Sequence, residues 1–320
     1  MRIVVVGGGI AGLATARALG VPCVVLEQGS PPSGYGLQLG PAAVRLLERW
    51  GVDLSFAVRP AFRELRRWDS GALIARTPLE APYAAMRRAD LHRALGAGVP
   101  VRRARCVGVS DAVHLSSGRS VPADLVVGAD GLRSVVRRAV AADEVRTSGV
   151  FARRVLVRAP WPDPPRVRVW LGPGQHCVSY PIAPGVLNVV AVGSSFDAWH
   201  ADVRELLARG RAPVRHELCD RAPLPRRVAG RVALVGDAAH PMLPYLAQGA
   251  SQALLDADAL ASCLAAAPSI DAALARYDAE RTPRATALAE AVRRAGIDNH
   301  LPDGPEQRAR DQRLAAGGDR

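Results

Sequence analysis

The chain has 320 residues, 49% of them hydrophobic and 22% charged, which excludes disorder, collagen and coiled coil as global descriptions and predicts one or two globular domains. Its formal net charge of +12 comes from arginine alone, because the sequence contains no lysine. The arginine pairs are spread along the whole chain and are not interleaved with aromatic residues. Coding bias therefore explains the charge better than a nucleic-acid or membrane partner does.

The five cysteines are scattered, and their odd number and the lack of a CxxC pair argue against a disulfide framework or a zinc site. No metal is expected. The apolar run at the start of the sequence is interrupted by glycines after four residues, so it does not read as a signal peptide. No apolar run approaches the length of a membrane span, and we expect a cytoplasmic protein.

The first half of the chain predicts a parallel α/β arrangement. Residues 3–6 form a short apolar run bounded by glycines, which is typical of a buried parallel strand. A helix over 10–19 and a second strand over 23–27 complete a βαβ unit. The further predicted elements are helices over 41–50 and 88–97, two strands within 62–76, and strands at 105–109, 113–115 and 124–128.

The sequence pattern changes between residues 150 and 222, where short segments of alternating apolar and polar residues are separated by turns rich in proline and glycine. This pattern predicts an antiparallel sheet. A buried strand at 232–235 and helices over 250–266 and 271–296 follow. We therefore predict one α/β domain from 1–61, 88–149 and 223–298, a β-rich domain from 62–87 and 150–222, and a disordered tail over 299–320.

A glycine-rich turn joins the first predicted strand to the first helix. Gly7, Gly9 and Gly12 match the GxGxxG pattern, in which the glycines permit the turn, the approach of a pyrophosphate and close helix packing. The pyrophosphate then faces the positive end of the helix. Glu27 ends the second strand, where an acid can bind the ribose hydroxyls of an adenine dinucleotide. The motif by itself leaves FAD and NAD open.

Two further motifs carry a family resemblance. The stretch 230–241 contains Gly236 and Asp237 in the sequence GDAAHP, and 124–131 ends in Asp130-Gly131, with Arg137 following. Together with the glycine-rich turn and Arg88, they resemble, in the same order, the motifs of the single-component FAD-dependent aromatic hydroxylases, such as the p-hydroxybenzoate and salicylate hydroxylases. The resemblance covers roughly residues 1–296.

The resemblance implies a Rossmann-like FAD-binding domain of the GR2 type, built from discontinuous segments, with an inserted antiparallel β-sheet substrate domain. It implies that NADPH or NADH reduces FAD, and that a flavin C4a-hydroperoxide delivers one oxygen atom from O2 to an aromatic or alkene small molecule. We expect a natural-product tailoring enzyme, a monomer or homodimer. The expected FAD contacts are Gly7, Gly9, Ala11, Gly12, Glu27, Gln28, Arg88, Asp130, Arg137, Gly236, Asp237, Gln248, Gly249, Ala250 and Ser251.

The candidate catalytic residues lie outside these cofactor motifs. Pro244 resembles the proline that the family places beside the flavin at the substrate cavity. His176 and Tyr180 are four residues apart on a predicted strand, so they share one face, and either side chain can bind or deprotonate a phenol. His240 is interpreted as structural.

Two alternatives to oxygen insertion stay open from the sequence. One is an FAD-dependent dehydrogenase that inserts no oxygen, and the other is a flavin-binding protein without catalysis. The second is suggested because the chain is shorter than other members of the family, with the shortfall in the β-rich middle region. Ala247 and Ser251 also depart from the family pattern, but conservatively enough to leave FAD binding expected.

Overall fold

The computed structural model describes residues 1–29, 35–160 and 163–318. The strands are β1 (Ile3–Val6), β2 (Cys23–Glu27), β3 (Gly36–Leu39), β4 (Phe62–Arg67), β5 (Leu73–Pro78), β6 (Ala84–Arg87), β7 (Val101–Arg103), β8 (Cys106–Val109), β9 (Ala112–Leu115), β10 (Ser120–Pro122), β11 (Leu125–Gly128), β12 (Arg146–Arg158), β13 (Arg166–Gly172), β14 (Gln175–Ala183), β15 (Val186–Val192), β16 (Arg211–Asp220), β17 (Val228–Ala229) and β18 (Val232–Leu234). The helices are α1 (Ile10–Leu19), α2 (Pro41–Arg49), α3 (Arg88–Gly96), α4 (Ala201–Ala208), α5 (Gly249–Ala266), α6 (Ile270–Asn299) and α7 (Pro305–Gly318). None of these helices is both long and apolar enough to cross a membrane.

The first sheet has six strands in the order β17-β18-β11-β1-β2-β7, and β1 pairs in parallel with both β2 and β11. Successive residues of β1 face opposite sides, as the strand period requires. Ile3 and Val5 pack with α5 and α6, whereas Val4 and Val6 pack with the three-stranded sheet β10-β9-β8. Both faces are therefore buried, which explains why β1 is apolar at every position. The predicted parallel α/β fold is confirmed.

The second large sheet has seven strands in the order β16-β12-β15-β14-β13-β4-β5. Its pairs are antiparallel except for β13 with β4. One face packs against α4, through a core that includes Trp170 and Trp199. Its strands come from 62–78 and 146–220. The inserted antiparallel sheet is confirmed, while the exact domain boundaries stay a prediction.

The expectation of a disordered tail from residue 299 is wrong for the described residues. Helix α7 packs against β5, and its Gln307 and Arg310 are buried. Ahead of α7, Asp303 accepts hydrogen bonds from Arg67 at 2.5 Å and from the Trp68 indole at 3.1 Å. These partners lie more than 200 positions away in the chain, so the local polar composition of the tail gives no sign of them.

Candidate active site

A cavity of about 890 Å³ lies between the carboxyl ends of the parallel strands and the inner face of the seven-stranded sheet. Both sides contribute residues that the sequence singles out. Fourteen of them line it: Gly7, Gly9, Ala11, Glu27, Gln28, Arg88, Asp130, His176, Tyr180, Asp237, Pro244, Gln248, Gly249 and Ala250. The tertiary fold therefore gathers residues from most of the chain into one site.

The three motif glycines have different roles. A Cβ on Gly7, whose φ is +107°, would lie 2.3 Å from the carbonyl oxygen of Ala129. A Cβ on Gly12 would lie 1.8 Å from the carbonyl oxygen of Gly7. The close approach of the loop after β11 therefore requires glycine at position 7, and the packing of α1 on the turn after β1 requires glycine at position 12. At Gly9, by contrast, no atom of the described residues lies within 4 Å of the position that a Cβ would take. Gly9 therefore opens onto free space in front of α1.

Two helices begin at the cavity wall. Helix α1 follows Gly9 and helix α5 follows Gln248, and neither has a side-chain cap or an acidic residue in its first turn within the described structure. Their first N–H groups are therefore available to a bound anion, which the helix dipole also favours. At the end of β2, Glu27 accepts hydrogen bonds from the backbone N–H groups of Gly8 and Gly29, each at 2.6 Å.

A buried ionic cluster holds the turn that carries Asp237. The Asp256 carboxylate accepts hydrogen bonds from the Gly236 N–H at 2.9 Å and from Arg227 and Arg281 at 2.9 and 2.8 Å. His240 Nε2 lies 2.5 Å from the same group. Burial raises the pKa of Asp256, but His240 and the two guanidinium groups outweigh it and hold that pKa well below its usual range. His240 is thus buried in a structural contact, as expected.

His176 and Tyr180 project from β14 into the cavity on the same face of the sheet. His176 Nδ1 is hydrogen-bonded at 2.8 Å to Nε2 of His300, which follows α6. Burial, reinforced by His300, lowers the pKa of His176 to about 3, so the imidazole is neutral at physiological pH. Burial also raises the pKa of Tyr180 well above its usual value, which keeps its hydroxyl protonated.

Comparison with known proteins agrees with this geometry. Residues 203–292 match the family described as FAD binding domain. The chain is 42% identical to a 3-amino-4-hydroxybenzoate 2-monooxygenase of Streptomyces cremeus, over 99% of this chain and 92% of the relative. It is also 31% identical to a 3-hydroxybenzoate 6-hydroxylase of Klebsiella oxytoca, over 94% and 89% of the two chains. The chain belongs to the FAD-dependent aromatic monooxygenases.

Solved structures support the assignment of the chain to this family. Klebsiella pneumoniae HpxO complexed with FAD and uric acid superimposes with a TM-score of 0.89 at 25% identity, covering 98% of this chain and 92% of that one. A salicylate hydroxylase substrate complex gives 0.84 at 25% identity, covering 99% and 92%. The predicted FAD cofactor, nicotinamide co-substrate and aromatic monooxygenase activity are confirmed.

One predicted contact of the monooxygenase with the dinucleotide is wrong. Arg137 is fully buried and is not among the described residues that line the cavity. Its guanidinium forms a salt bridge with Asp143 at 2.7 Å and donates to the carbonyl oxygens of Ala238 and Ala239 at 3.0 and 2.7 Å. Nε and both terminal nitrogens of the Arg137 guanidinium already have protein partners, so none is left for a dinucleotide. Arg137 instead stabilises the GDAAHP turn through the carbonyl groups of Ala238 and Ala239.

Three other predicted cofactor residues also lie behind the described cavity lining, namely Gly12, Gly236 and Ser251. Gly236 has a φ of +58°, and a Cβ there would lie 2.8 Å from the Cβ of Ala11. The Ser251 hydroxyl is buried and accepts a long hydrogen bond of 3.4 Å from the Gly40 N–H. These three residues therefore contribute to the close packing of the loops around the cavity, and their side-chain positions do not face it.

Sequence reasoning missed other residues of the monooxygenase site, namely Arg63, Arg154 and His300. Arg63 and Arg154 line the cavity from β4 and β12. A signal for Arg154 was available, because adjacent residues such as Arg153 and Arg154 on one strand must face opposite sides. No local pattern marks His300, since its contact with His176 spans 124 positions.

Proposed function

We propose that this monooxygenase hydroxylates the ring of an amino- or hydroxy-substituted benzoate, with FAD as cofactor and NADPH or NADH as reductant. The observation that carries the proposal is the composition of the cavity, in which a cofactor cradle faces a largely valine sheet surface that also carries His176, Tyr180 and Arg154. The 3-amino-4-hydroxybenzoate 2-monooxygenase at 42% identity supports this substrate class.

The residues of the cradle fit FAD. The open space at Gly9 and the free N–H groups of α1 suit the pyrophosphate, Glu27 suits the adenosine ribose, and Asp237 suits the ribityl hydroxyls. The first turn of α5 would stabilise negative charge on the flavin pyrimidine. When bound, FAD reduced by the nicotinamide and reacted with O2 supplies the oxygen atom for the ring.

His176 is proposed to take up the proton of the substrate hydroxyl. Its Nδ1 is occupied by His300, so Nε2 is the ring nitrogen that remains for a ligand in the cavity. With a pKa of about 3, the imidazole is too weak a base to deprotonate the resting phenol. The hydroxyl becomes strongly acidic as the ring gives electrons to the incoming oxygen, and at that stage Nε2 accepts its proton over a hydrogen bond. Tyr180 then donates a hydrogen bond to the substrate, and Pro244 closes the cavity beside the cradle.

Apolar residues form much of the sheet side of the cavity. Val167, Val169, Val178, Val190 and Val192 all line the cavity on the sheet side. Such a wall suits an aromatic ring and limits the access of water to the reacting oxygen.

Replacing Gly9 with leucine tests where FAD lies. The backbone of Gly9, with φ −74° and ψ −172°, accepts any residue, and the added side chain enters space that the described protein residues leave free. We expect the unfolding temperature of the apoprotein to stay unchanged, while overlap with the pyrophosphate weakens FAD binding by about 1–3 kcal/mol, roughly tenfold to a hundredfold. FAD affinity is measured by titration of the apoprotein with FAD.

Gly40 provides the matched control. It also precedes a helix, with φ −76°, and no atom of the described residues lies within 4 Å of the position that its Cβ would take, but it does not line the cavity. Gly40→Leu should leave FAD affinity unchanged. Equal FAD affinities in the Gly9→Leu variant and the wild type would contradict the proposed placement of the pyrophosphate.

The substrate class is tested with a panel of ring compounds. The FAD-loaded protein is mixed with NADPH or NADH and with 3-amino-4-hydroxybenzoate, 3-hydroxybenzoate, salicylate or a simple alkene acid, and nicotinamide oxidation and ring products are recorded. We expect amino- or hydroxybenzoates to stimulate oxidation and to gain a hydroxyl group. Hydroxylation of none of the benzoates, with oxidation of another class, would contradict the proposal.

We also propose the cellular setting that the composition and the relatives support. The five cysteines are free in the structure, which is consistent with the cytoplasm. The Streptomyces relatives and the absence of lysine support a role in secondary metabolism, as a tailoring step. The expected assembly is a monomer or homodimer.

A further inference from the structure

We infer that Arg154 binds the carboxylate of the substrate and thereby sets which ring position faces the flavin, an inference that rests on the proposed benzoate substrate. Arg154 lies on β12 and lines the cavity. A guanidinium that borders valine side chains presents a planar set of N–H donors, and this geometry recognises a carboxylate.

The position of Arg154 follows from the sheet register. Arg154 pairs with Val190 on β15, and Val190 pairs with Val178 on β14, so all three side chains share the face that lines the cavity. His176 precedes Val178 by two residues and therefore also lies on that face. The backbones of β12 and β14 are separated by two strand spacings, about 10 Å. One ring can thus lie over Val178 and Val190, between His176 and Arg154.

Arg154 is half-buried and lacks the carboxylate partner that the fully buried arginines have. Arg137, Arg227, Arg281 and Arg310 each form a salt bridge with an aspartate. For Arg154, by contrast, no carboxylate of the described residues lies within salt-bridge distance, and its buried Nε has no hydrogen-bond partner among them. A buried N–H group without a partner is costly, and an anionic ligand that accepts from this guanidinium would reduce that cost.

The other arginines of the cavity are placed for different tasks. Arg88, Arg105 and Arg133 lie on the side of the parallel sheet and the cofactor cradle. Arg63 lies on β4, four strands from β12 in the seven-stranded sheet. It lies beside Tyr83, whose hydroxyl donates to Gln38 Oε1 at 2.9 Å. Arg154 is therefore the arginine that adjoins the valine wall on the β15 side.

Binding at both ends fixes the orientation of the ring. With the carboxylate at Arg154 and a ring hydroxyl at His176, the substrate cannot rotate in its plane without losing one of the two contacts. The ring carbon that meets the oxygen is then set by the substituent pattern of the substrate. A compound that lacks the carboxylate loses this restraint but keeps the apolar contacts.

The test compares an acid with its amide in the FAD-loaded enzyme. Dissociation constants of 3-amino-4-hydroxybenzoate and 3-amino-4-hydroxybenzamide are measured from the change in flavin absorbance, for the wild type and for Arg154→Gln. We expect the wild type to prefer the acid, and the variant to lose roughly tenfold to a thousandfold in acid affinity. Amide affinity should change by less than about threefold, so that the variant no longer discriminates.

Controls separate this inference from the proposed function. Arg153 is the matched control, because it adjoins Arg154 on β12, faces the opposite side and is not among the described residues that line the cavity. Arg153→Gln should keep the preference for the acid, and Arg154→Lys should retain part of it. The role of Arg154 would be overturned by an unchanged preference in Arg154→Gln, by an equal loss for acid and amide, or by loss of the preference in Arg153→Gln, while the wild type still hydroxylates the acid. A wild type that binds and hydroxylates neither compound would instead overturn the proposed function, and the inference with it. If the Arg154→Gln variant does not retain FAD, the role of Arg154 is tested by comparing the acid and amide affinities of Arg154→Lys with those of the wild type.

Discussion

Replacing Asp256 with alanine is expected to lower the free energy of unfolding by about 3–5 kcal/mol. The change leaves Arg227 and Arg281 buried without their common carboxylate, and it removes the acceptor of the Gly236 N–H. Because Gly236 begins the turn that carries Asp237, we also expect FAD to be lost from the purified protein. Chemical denaturation of the apoprotein and the flavin content after purification measure the two effects.

Asp258, on the same helix, provides the matched control. It forms a salt bridge with Arg49 at 2.6 Å, but the arginine side chain is 60% exposed. An exposed ion pair contributes about 0–1 kcal/mol, so Asp258→Ala should have little effect on unfolding or flavin content. Equal destabilisation by the two variants would contradict the structural role given to the Asp256 cluster.

Replacing His176 with glutamine is expected to lower kcat roughly 10²- to 10⁴-fold while the flavin content stays unchanged. Glutamine preserves a polar side chain of similar length but cannot accept the substrate proton as imidazole does. Because burial lowers the pKa of His176 to about 3, protonation of His176 should not reduce kcat in the wild type between pH 5 and 8. Product formation under saturating substrate and nicotinamide measures the effect.

His114 tests whether this loss is specific. It is half-exposed on β9, hydrogen-bonds Ser110 and Ser120, and is not among the described residues that line the cavity. His114→Gln should leave kcat unchanged, and His300→Gln should lower it less than His176→Gln does. A His176→Gln variant that forms product at the wild-type rate would contradict the role of His176 as proton acceptor.

The parts of the fold that can be predicted from the sequence are those determined by residues close to one another in the chain. Alternation and glycine placement predict β1, α1 and β2, because the apolar run, the turn and the helix lie next to one another in the chain. The common face of His176 and Tyr180 follows from the strand period in the same way. The presence of Glu27 at the cradle depends only on its place at the end of β2.

The features that could not be predicted from the sequence depend on contacts between residues far apart in the chain. Arg137 has the sequence position of a dinucleotide ligand, but Asp143 and the carbonyl groups of Ala238 and Ala239 occupy it. Helix α7 has a polar composition and is ordered by partners such as Arg67. The pairing of His176 with His300 likewise depends on the path of α6 across the molecule. Such contacts are determined by tertiary packing and produce no periodic pattern in the sequence.

Insertion of one oxygen atom of O2 into a benzoate ring is the proposed reaction of this monooxygenase. Turnover of 3-amino-4-hydroxybenzoate by the FAD-loaded enzyme with NADPH or NADH under isotopically heavy O2, followed by mass spectrometry of the product, measures it. We expect a ring-hydroxylated product that carries one heavy oxygen atom, and roughly a hundredth of it or less from His176→Gln in the same time. A product free of the heavy isotope, or one formed equally well without O2, would contradict it.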